Sequence, residues 1–271
     1  MKIGIIGVGN IGRIILRRMR NSRRLDVGEI LINSRTRSKI ENLAGGKVRL
    51  AENNAQLARE CDVIFLCVKP QDAPTMFAQL EGVDMEEKVL ISTMVGIKIA
   101  ELQEKLSANL VARIMPNVPA MIGRGIIPVS FSSVLKVSQA VRELVLEILS
   151  TLGKVVEIDE KHMAAVTALS GSGPAFVFVL IEALIDAGLR LGLSYDLSRE
   201  LVIETLKGSA ELLQKKRNHP GEFRHIVTSP AGTTIEGVYS LEREGIRGIL
   251  MKAIYDTYRR AQHFEEGRRN S

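Results

Sequence analysis

Short apolar runs alternate with amphipathic stretches through the first half of the chain. Lys2–Ile6 is a run rich in β-branched residues, followed at once by a glycine-rich turn. Over 10–21, Ile11, Ile14, Ile15, Leu16 and Met19 recur at helical spacing. Glu29–Asn33 predicts a second strand, and 38–43 a short helix. The run 63–68 is apolar throughout, as expected of a strand buried on both faces, and Pro70 ends it. Stretches 88–92, 110–115, 126–131 and 155–158 repeat the strand pattern, with helical segments between most of them. This alternation predicts an α/β architecture with a mostly parallel, doubly wound sheet.

After Asp159 the strand signal stops. Helices are predicted over 161–169, 174–191, 197–215 and 246–265, so the second half reads as all-helical. The predicted division is therefore 1–159 and 160–271, with no Pro/Gly/Ser-rich linker between the two parts. The helix after Pro174 is apolar on most sides, with Phe176, Val177, Phe178, Val179, Leu180, Ile181, Ala183, Leu184 and Ile185 in sequence. A helix apolar all round belongs in a large core or at a subunit interface. One small helical domain has too little mass to cover it, so a homo-oligomer with interlocking helical domains is expected.

Composition changes this picture little. At 271 residues, with 45% hydrophobic and 25% charged, the chain reads as an ordinary globular protein. Aromatics are 4% with no Trp, which makes the core aliphatic. The net charge of +6 raises nucleic acid as a partner. The basic runs are short, however (Arg17-Arg18, Arg23-Arg24, Lys215-Lys216-Arg217, Arg268-Arg269), and no recognition motif accompanies them. Neither a nucleic-acid nor a membrane partner is expected. The two cysteines, Cys61 and Cys67, make neither a disulfide scaffold nor a metal site, and no metal is expected. Cys67 lies in an apolar run and reads as a small core residue. The chain starts in a strand pattern with no signal peptide ahead of it, so a cytoplasmic location is expected.

Gly7-Val8-Gly9-Asn10-Ile11-Gly12 is a G-x-G-x-x-G motif that follows a predicted strand and opens a predicted helix. In that setting Gly7 permits the tight turn, Gly9 lets backbone approach a pyrophosphate, and Gly12 lets helix and strand pack closely. The helix start adds free N–H groups and a positive dipole end. A site for NAD usually carries Asp or Glu at the end of the second strand. Here Asn33-Ser34-Arg35-Thr36-Arg37 offers no acid. Ser34 and Thr36 bring hydroxyls, and Arg35 brings a planar fork suited to phosphate. NADP is therefore favoured over NAD.

Two segments of the second half are rich in glycine and hydroxyls. They are Ala168-Leu169-Ser170-Gly171-Ser172-Gly173-Pro174-Ala175-Phe176 and Val227-Thr228-Ser229-Pro230-Ala231-Gly232-Thr233-Thr234-Ile235. Each is expected to open a helix, where backbone N–H groups either bind a carboxylate or are capped by Ser and Thr in the ordinary way. His162, His219 and His225 have no partner by spacing and read as structural, with His219 before Pro220-Gly221 placed to cap or orient a turn.

Five blocks stand in order: the Gly7 to Gly12 motif, Val68-Lys69-Pro70-Gln71, Met115-Pro116-Asn117, the Ser170 segment and the Ser229 segment followed by Leu241-Glu242. In this order they resemble pyrroline-5-carboxylate reductases over essentially the whole chain. The resemblance implies a Rossmann domain joined to a helical dimerisation and substrate domain. It implies reduction of the cyclic imine of Δ1-pyrroline-5-carboxylate to L-proline, the last step of proline biosynthesis, with NADPH or NADH. Matched by motif, Gly7, Gly9, Asn10, Ile11 and Gly12 would hold the pyrophosphate, and Ser34 and Arg35 the 2′-phosphate. Asn54 would lie by the adenosine, with Val68, Lys69 and Pro70 along the nicotinamide. Ser229, Gly232 and Thr233 would bind the substrate carboxylate, with Thr234 as the catalytic donor beside the imine nitrogen. The Ser229 loop of one subunit would meet the nicotinamide held by its partner.

The chain departs from the family pattern at Val95, Val118, Ala231 and Phe176, among others. Two further readings stay open: a reductase of a related cyclic imine, and a non-catalytic paralogue that binds NADP.

Overall fold

The computed structural model describes residues 1–22 and 25–266; the basic pairs Arg23-Arg24 and Arg268-Arg269 lie outside them. Eight strands form one sheet: β1 (Lys2–Ile6), β2 (Glu29–Asn33), β3 (Val48–Leu50), β4 (Val63–Leu66), β5 (Val89–Ser92), β6 (Leu110–Ile114), β7 (Gly125–Phe131) and β8 (Gly153–Glu157). Their order is β3-β2-β1-β4-β5-β6-β7-β8. All pairings are parallel except β6 with β7. The chain runs outward from β1 to β2 and β3, then returns to β4 on the other side of β1. That reversal is the switch point where such sheets bind ligands, at the carboxyl ends of the strands.

Helices of this unit are α1 (Asn10–Arg20), α2 (Asn54–Glu60), α3 (Ala73–Leu80), α4 (Ile99–Leu106), α5 (Ser133–Val137), α6 (Gln139–Ser150) and α7 (Met163–Val166). The central strands β1, β2, β4, β5 and β6 are buried on both faces, which is why they read as apolar runs. Ile3, Ile5, Ile30, Ile32 and Phe65 pack in one core with Ile14, Ile15 and Met19 of α1 and Ile148 of α6. Ile6, Leu31, Ile64, Leu66 and Leu90, from the alternate positions, pack in a second core with Leu57, Met76 and Leu102 of α2, α3 and α4.

The rest of the chain forms α8 (Gly173–Arg190), α9 (Tyr195–Lys216), α10 (Pro220–Ile226), α11 (Thr233–Arg243) and α12 (Ile246–Glu266). Two compact units result: one holds 1–172 and the described residues from Thr257 on, the other 173–256. The last strand ends before Asp159, yet compactness keeps α7 and the turn after it with the sheet. In the helical unit α8 and α9 approach closely, because Gly188 lies where a Cβ would stand 2.7 Å from the Ser198 Cβ. On α8 only Ile185 is buried in the single chain, while Phe178 and Val179 stay exposed at 57% and 64%. The apolar surface anticipated for this helix is thus present and uncovered by its own chain.

Three local expectations are corrected. The short helix over 38–43 is instead two 3-10 turns, Arg37–Lys39 and Glu41–Leu43, of which only Ile40 between them is buried. So short a segment cannot offset helix nucleation. Strand β3, unmarked in the sequence, is three residues with only Val48 buried, too short for any periodicity to show. The helix over 161–169 is a 3-10 turn (Glu160–His162), then α7, then a π turn (Thr167–Gly171) that runs directly into α8.

Candidate active site

Three glycines between β1 and α1 each answer a distinct demand. Gly7 has φ +92, and a Cβ there would lie 2.7 Å from the Cys67 carbonyl carbon. Its N–H donates to the Asn33 carbonyl at 2.9 Å, so the turn is tied to β2 and pressed onto the end of β4. At Gly12 a Cβ would run into the Gly7 carbonyl, so only glycine lets α1 pack this close. Gly9 is different: nothing lies within 4 Å of a would-be Cβ. It is the N-cap of α1 and no side chain caps it. The first intrahelical bond is Arg13 N–H to the Gly9 carbonyl at 2.9 Å, leaving the N–H groups of Asn10, Ile11 and Gly12 at the open mouth of the helix. Uncapped donors, a dipole end and clear space above Gly9 fit a pyrophosphate.

At the end of β2, Ser34 is half-buried and Arg35 is exposed. The Arg35 guanidinium donates to Asp72 Oδ1 at 2.7 Å, with 81% of the arginine side chain still in solvent. An exposed ion pair of this kind is worth little and leaves Arg35 free to turn to a phosphate. Arg37 instead donates to the Ala51 carbonyl at 3.1 Å and serves the fold. Asn54, at the start of α2, is buried in a polar chain. Its Oδ1 accepts from Asn33 Nδ2 at 2.7 Å, and its Nδ2 donates to Gln79 Oε1 at 2.6 Å. Sequence reading missed Asp72 and Gln79, whose partners are distant along the chain. The residues present fit a dinucleotide with an added 2′-phosphate: the segment that follows β2 carries no carboxylate of its own and does carry an arginine, whose partner Asp72 comes from beyond β4.

Val68, Lys69 and Pro70 follow β4, and Pro70–Asp72 makes a 3-10 turn. Burial pushes the Cys67 thiol up to about 12. It therefore stays a neutral packing group beneath the glycine turn rather than a nucleophile. Val95 follows β5 and is half-buried, while Val118 follows β6 and is exposed. Asn117 is buried and reaches two elements: its Oδ1 accepts from the Ile126 N–H at 3.0 Å, and its Nδ2 donates to the Ser170 carbonyl at 3.2 Å. A Cβ on Gly171 would stand 3.3 Å from Met115 Cγ. The structure thus brings the Met115-Pro116-Asn117 block and the first hydroxyl segment together on the π turn. It also corrects the idea that this segment is a free helix start. The Ser172 N–H donates to the Thr167 carbonyl at 2.9 Å, so that donor is already taken.

The second hydroxyl segment does open a helix. Ser229-Pro230-Ala231-Gly232 is a reverse turn closed by the Gly232 N–H on the Ser229 carbonyl at 3.1 Å. Ala231 sits at φ +55, a left-handed conformation usually left to glycine after proline in such turns. A Cβ on Gly232 would collide with Ser229 Oγ. Gly232 is the N-cap of α11, again with no side-chain cap, and Thr233 and Thr234 occupy the exposed first turn. His219 caps α10 by accepting from the Gly221 N–H at 3.1 Å, with Glu222 closing the box, which makes it structural. The Asn218 side-chain hydrogen bond, followed by the His219 backbone N–H, holds the Glu222 carboxyl below its ordinary range.

Comparison with known proteins agrees with both parts. Residues 160–264 match the family described as pyrroline-5-carboxylate reductase dimerisation, and residues 2–96 match the one described as NADP oxidoreductase, coenzyme F420-dependent. By length and composition alone Glu160–Arg190 is apolar enough to cross a membrane. It falls inside the match to the dimerisation family, which supports a homo-oligomer. The chain is 34% identical over 263 residues to a pyrroline-5-carboxylate reductase of Synechocystis sp., with 97% of each covered. It is 34% identical to one of Glycine max, over 96% of this chain and 94% of that one. The fold matches the crystal structure of Plasmodium falciparum pyrroline carboxylate reductase with NADP bound at a TM-score of 0.89, with 30% identity and 98% of each chain covered. With an open cradle at Gly9, a glycine-capped α11 and likeness along its whole length, the chain belongs to the pyrroline-5-carboxylate reductase family.

Proposed function

We infer that this protein reduces the C=N bond of Δ1-pyrroline-5-carboxylate to give L-proline, with NADPH as the reductant. Membership of the family over 97% of the chain is the observation that carries this reading. The α/β part, 1–159, is assigned to cofactor binding, and 160–271 to dimerisation and substrate. Bound NADPH supplies a hydride to the imine carbon. In this reading the Gly9 cradle, with Asn10, Ile11 and Gly12, holds the pyrophosphate. Ser34 and Arg35 hold the 2′-phosphate, and Asn54 borders the adenosine. Val68, Lys69 and Pro70 border the nicotinamide.

The Gly232 N–H closes the turn on Ser229, so the open N–H groups are those that begin at Thr233; they suit the substrate carboxylate, with the capping Gly232 and the Ser229 side chain beside them. In this reading the Thr234 hydroxyl, one residue further, pairs with the imine nitrogen. The substrate arrives already protonated and its N–H donates to the Thr234 oxygen; once hydride has added and the nitrogen has a lone pair, the same hydroxyl donates to it, so no strong acid is required. The product is then a neutral secondary amine that takes its final proton from solvent. Positioning the two reactants supplies most of the remaining rate gain. We assign the α11 start of one subunit to the nicotinamide held by its partner, in a homodimer or a larger assembly, and a cytoplasmic setting goes with this biosynthetic role.

The test is loss of nicotinamide absorbance with Δ1-pyrroline-5-carboxylate, with proline identified as product, beside the six-membered homologue of the substrate. Preference for the five-membered ring supports the reading. Preference for the larger ring moves the substrate to a related imine. NADPH binding without turnover of either leaves a non-catalytic paralogue.

A further inference from the structure

The loop that follows β5 is held at its middle and at its far end by residues from much later in the chain. Gly96, buried at φ +79, lies directly against the last turn of α12: a Cβ there would stand 2.6 Å from the Phe264 carbonyl oxygen. Arg260 stacks over the Phe264 ring at 4.7 Å and helps fix that turn. At the far end of the loop, the Ile99 N–H that opens α4 donates to Glu160 Oε1 at 2.8 Å. The same oxygen accepts from Arg113 Nη1 at 3.1 Å, and Arg113 Nη2 donates to Glu265 Oε1 at 2.8 Å. Glu265 is the neighbour of Phe264, so the network closes on the turn that touches Gly96. All of these residues belong to the sheet unit.

Such an arrangement is a costly way to stabilise a fold. Arg113 is 1% exposed, in the middle of β6, and its Nε has no hydrogen-bond partner. Burying a guanidinium costs desolvation that its ion pairs often only balance. What the network does supply is geometry: it fixes the loop 93–98 against one helical turn. That loop stands at the carboxyl end of β5, on the side of the switch point away from β2, Ser34 and Arg35. In a sheet of this order the adenosine half of a dinucleotide lies toward β2, and the nicotinamide half toward β4 and β5.

We propose that the last turn of α12 is a positioning element for the nicotinamide half of the cofactor site, acting through Arg113, Glu160 and Gly96 on the loop after β5. The proposal rests on the NADP reading above, and none of these residues touches the reacting atoms.

Two substitutions approach the contact from opposite sides. Glu265→Gln removes the charge on α12 but keeps its shape. Gly96→Ala places a methyl against the Phe264 carbonyl at a positive φ. Each protein is titrated calorimetrically with NADPH and with adenosine 2′,5′-bisphosphate, which carries the adenosine half alone. Each variant should bind NADPH about 5- to 10-fold more weakly, a size usual for residues that act through neighbours. Binding of the bisphosphate should stay within about twofold of the parent, which also reports an intact fold. Equal weakening of both ligands, or of neither, overturns the proposal. Turnover of Δ1-pyrroline-5-carboxylate by the unmodified protein is measured in parallel. Its failure would count against the proposed reaction and not against the loop assignment, which the two ligands decide.

Discussion

Helices α1 and α11 both start on a glycine that no side chain caps, and the two starts are built differently. At α1, Gly9 is framed by a turn that Gly7 ties to β2 and presses onto β4, with a large aliphatic core beneath it. At α11, Gly232 follows a strained alanine in a helical unit that buries little of its own surface. On the proposed reading the first start is an anion cradle complete within a single subunit. The second offers the same kind of donors and dipole, and is assigned to a site shared with a second copy. The comparison teaches that one local device, the uncapped glycine start, stands on a buried core in one place and in an exposed helical unit in the other, and the proposed reading gives the first to the cofactor and the second to the substrate.

The largest effect is expected from filling the first start. Gly9→Val puts a side chain into open space, so the protein should fold normally and melt within a few degrees of the parent. Binding of NADPH should weaken by about 100-fold or more, since several phosphate hydrogen bonds of ~1.5–3 kcal/mol are displaced. Normal binding measured by fluorescence would mean the pyrophosphate lies elsewhere.

At the second start, Thr234→Ala should lower kcat by about 100-fold, the lower end for loss of a proton-donating group. Its NADPH affinity should be unchanged, because α11 has no part in the cradle. Steady-state kinetics with both substrates varied would reveal the opposite pattern if Thr234 only supports the turn.

A smaller effect sharpens the cofactor side. Arg35→Ala should raise KM for NADPH by about tenfold, one charge-assisted contact, while leaving NADH almost untouched. Asp72→Asn should shift NADPH modestly the other way, by freeing Arg35 from its ion pair. Equal changes for both cofactors would remove Arg35 from the 2′-phosphate.

The smallest concerns Ala231. With φ +55, replacing it by glycine should relieve about 1 kcal/mol of left-handed strain, read as a small gain in denaturant midpoint. A loss of stability would show that the alanine methyl makes contacts in the assembled protein that outweigh the strain.

The first start was legible in the sequence because its constraints are local: a strand buried on both faces, three glycines and a helix with its apolar face inward. Much of the second was legible for the same reason, from Pro230 and Gly232 before a helical run. What escaped reading depends on long-range partners. Strand β3 forms because β2 offers it an edge, not because Val48, Arg49 and Leu50 announce a strand. The π turn over Thr167–Gly171 sits where Asn117 and Met115 press on it. Arg113 looks misplaced in an apolar strand until Glu160 and Glu265 arrive, 47 and 152 residues later. Asn54 entered only through the family resemblance, and nothing near it in sequence shows that it is the hub of a chain from Asn33 to Gln79.

The most direct test of the whole account is proline formation from Δ1-pyrroline-5-carboxylate and NADPH by the unmodified protein, with Thr234→Ala and Gly9→Val beside it. The account predicts one proline per NADPH oxidised by the parent, slow turnover with normal cofactor binding by the first variant, and cofactor binding weaker by about 100-fold or more by the second. A parent protein that binds NADPH and makes no proline would contradict it.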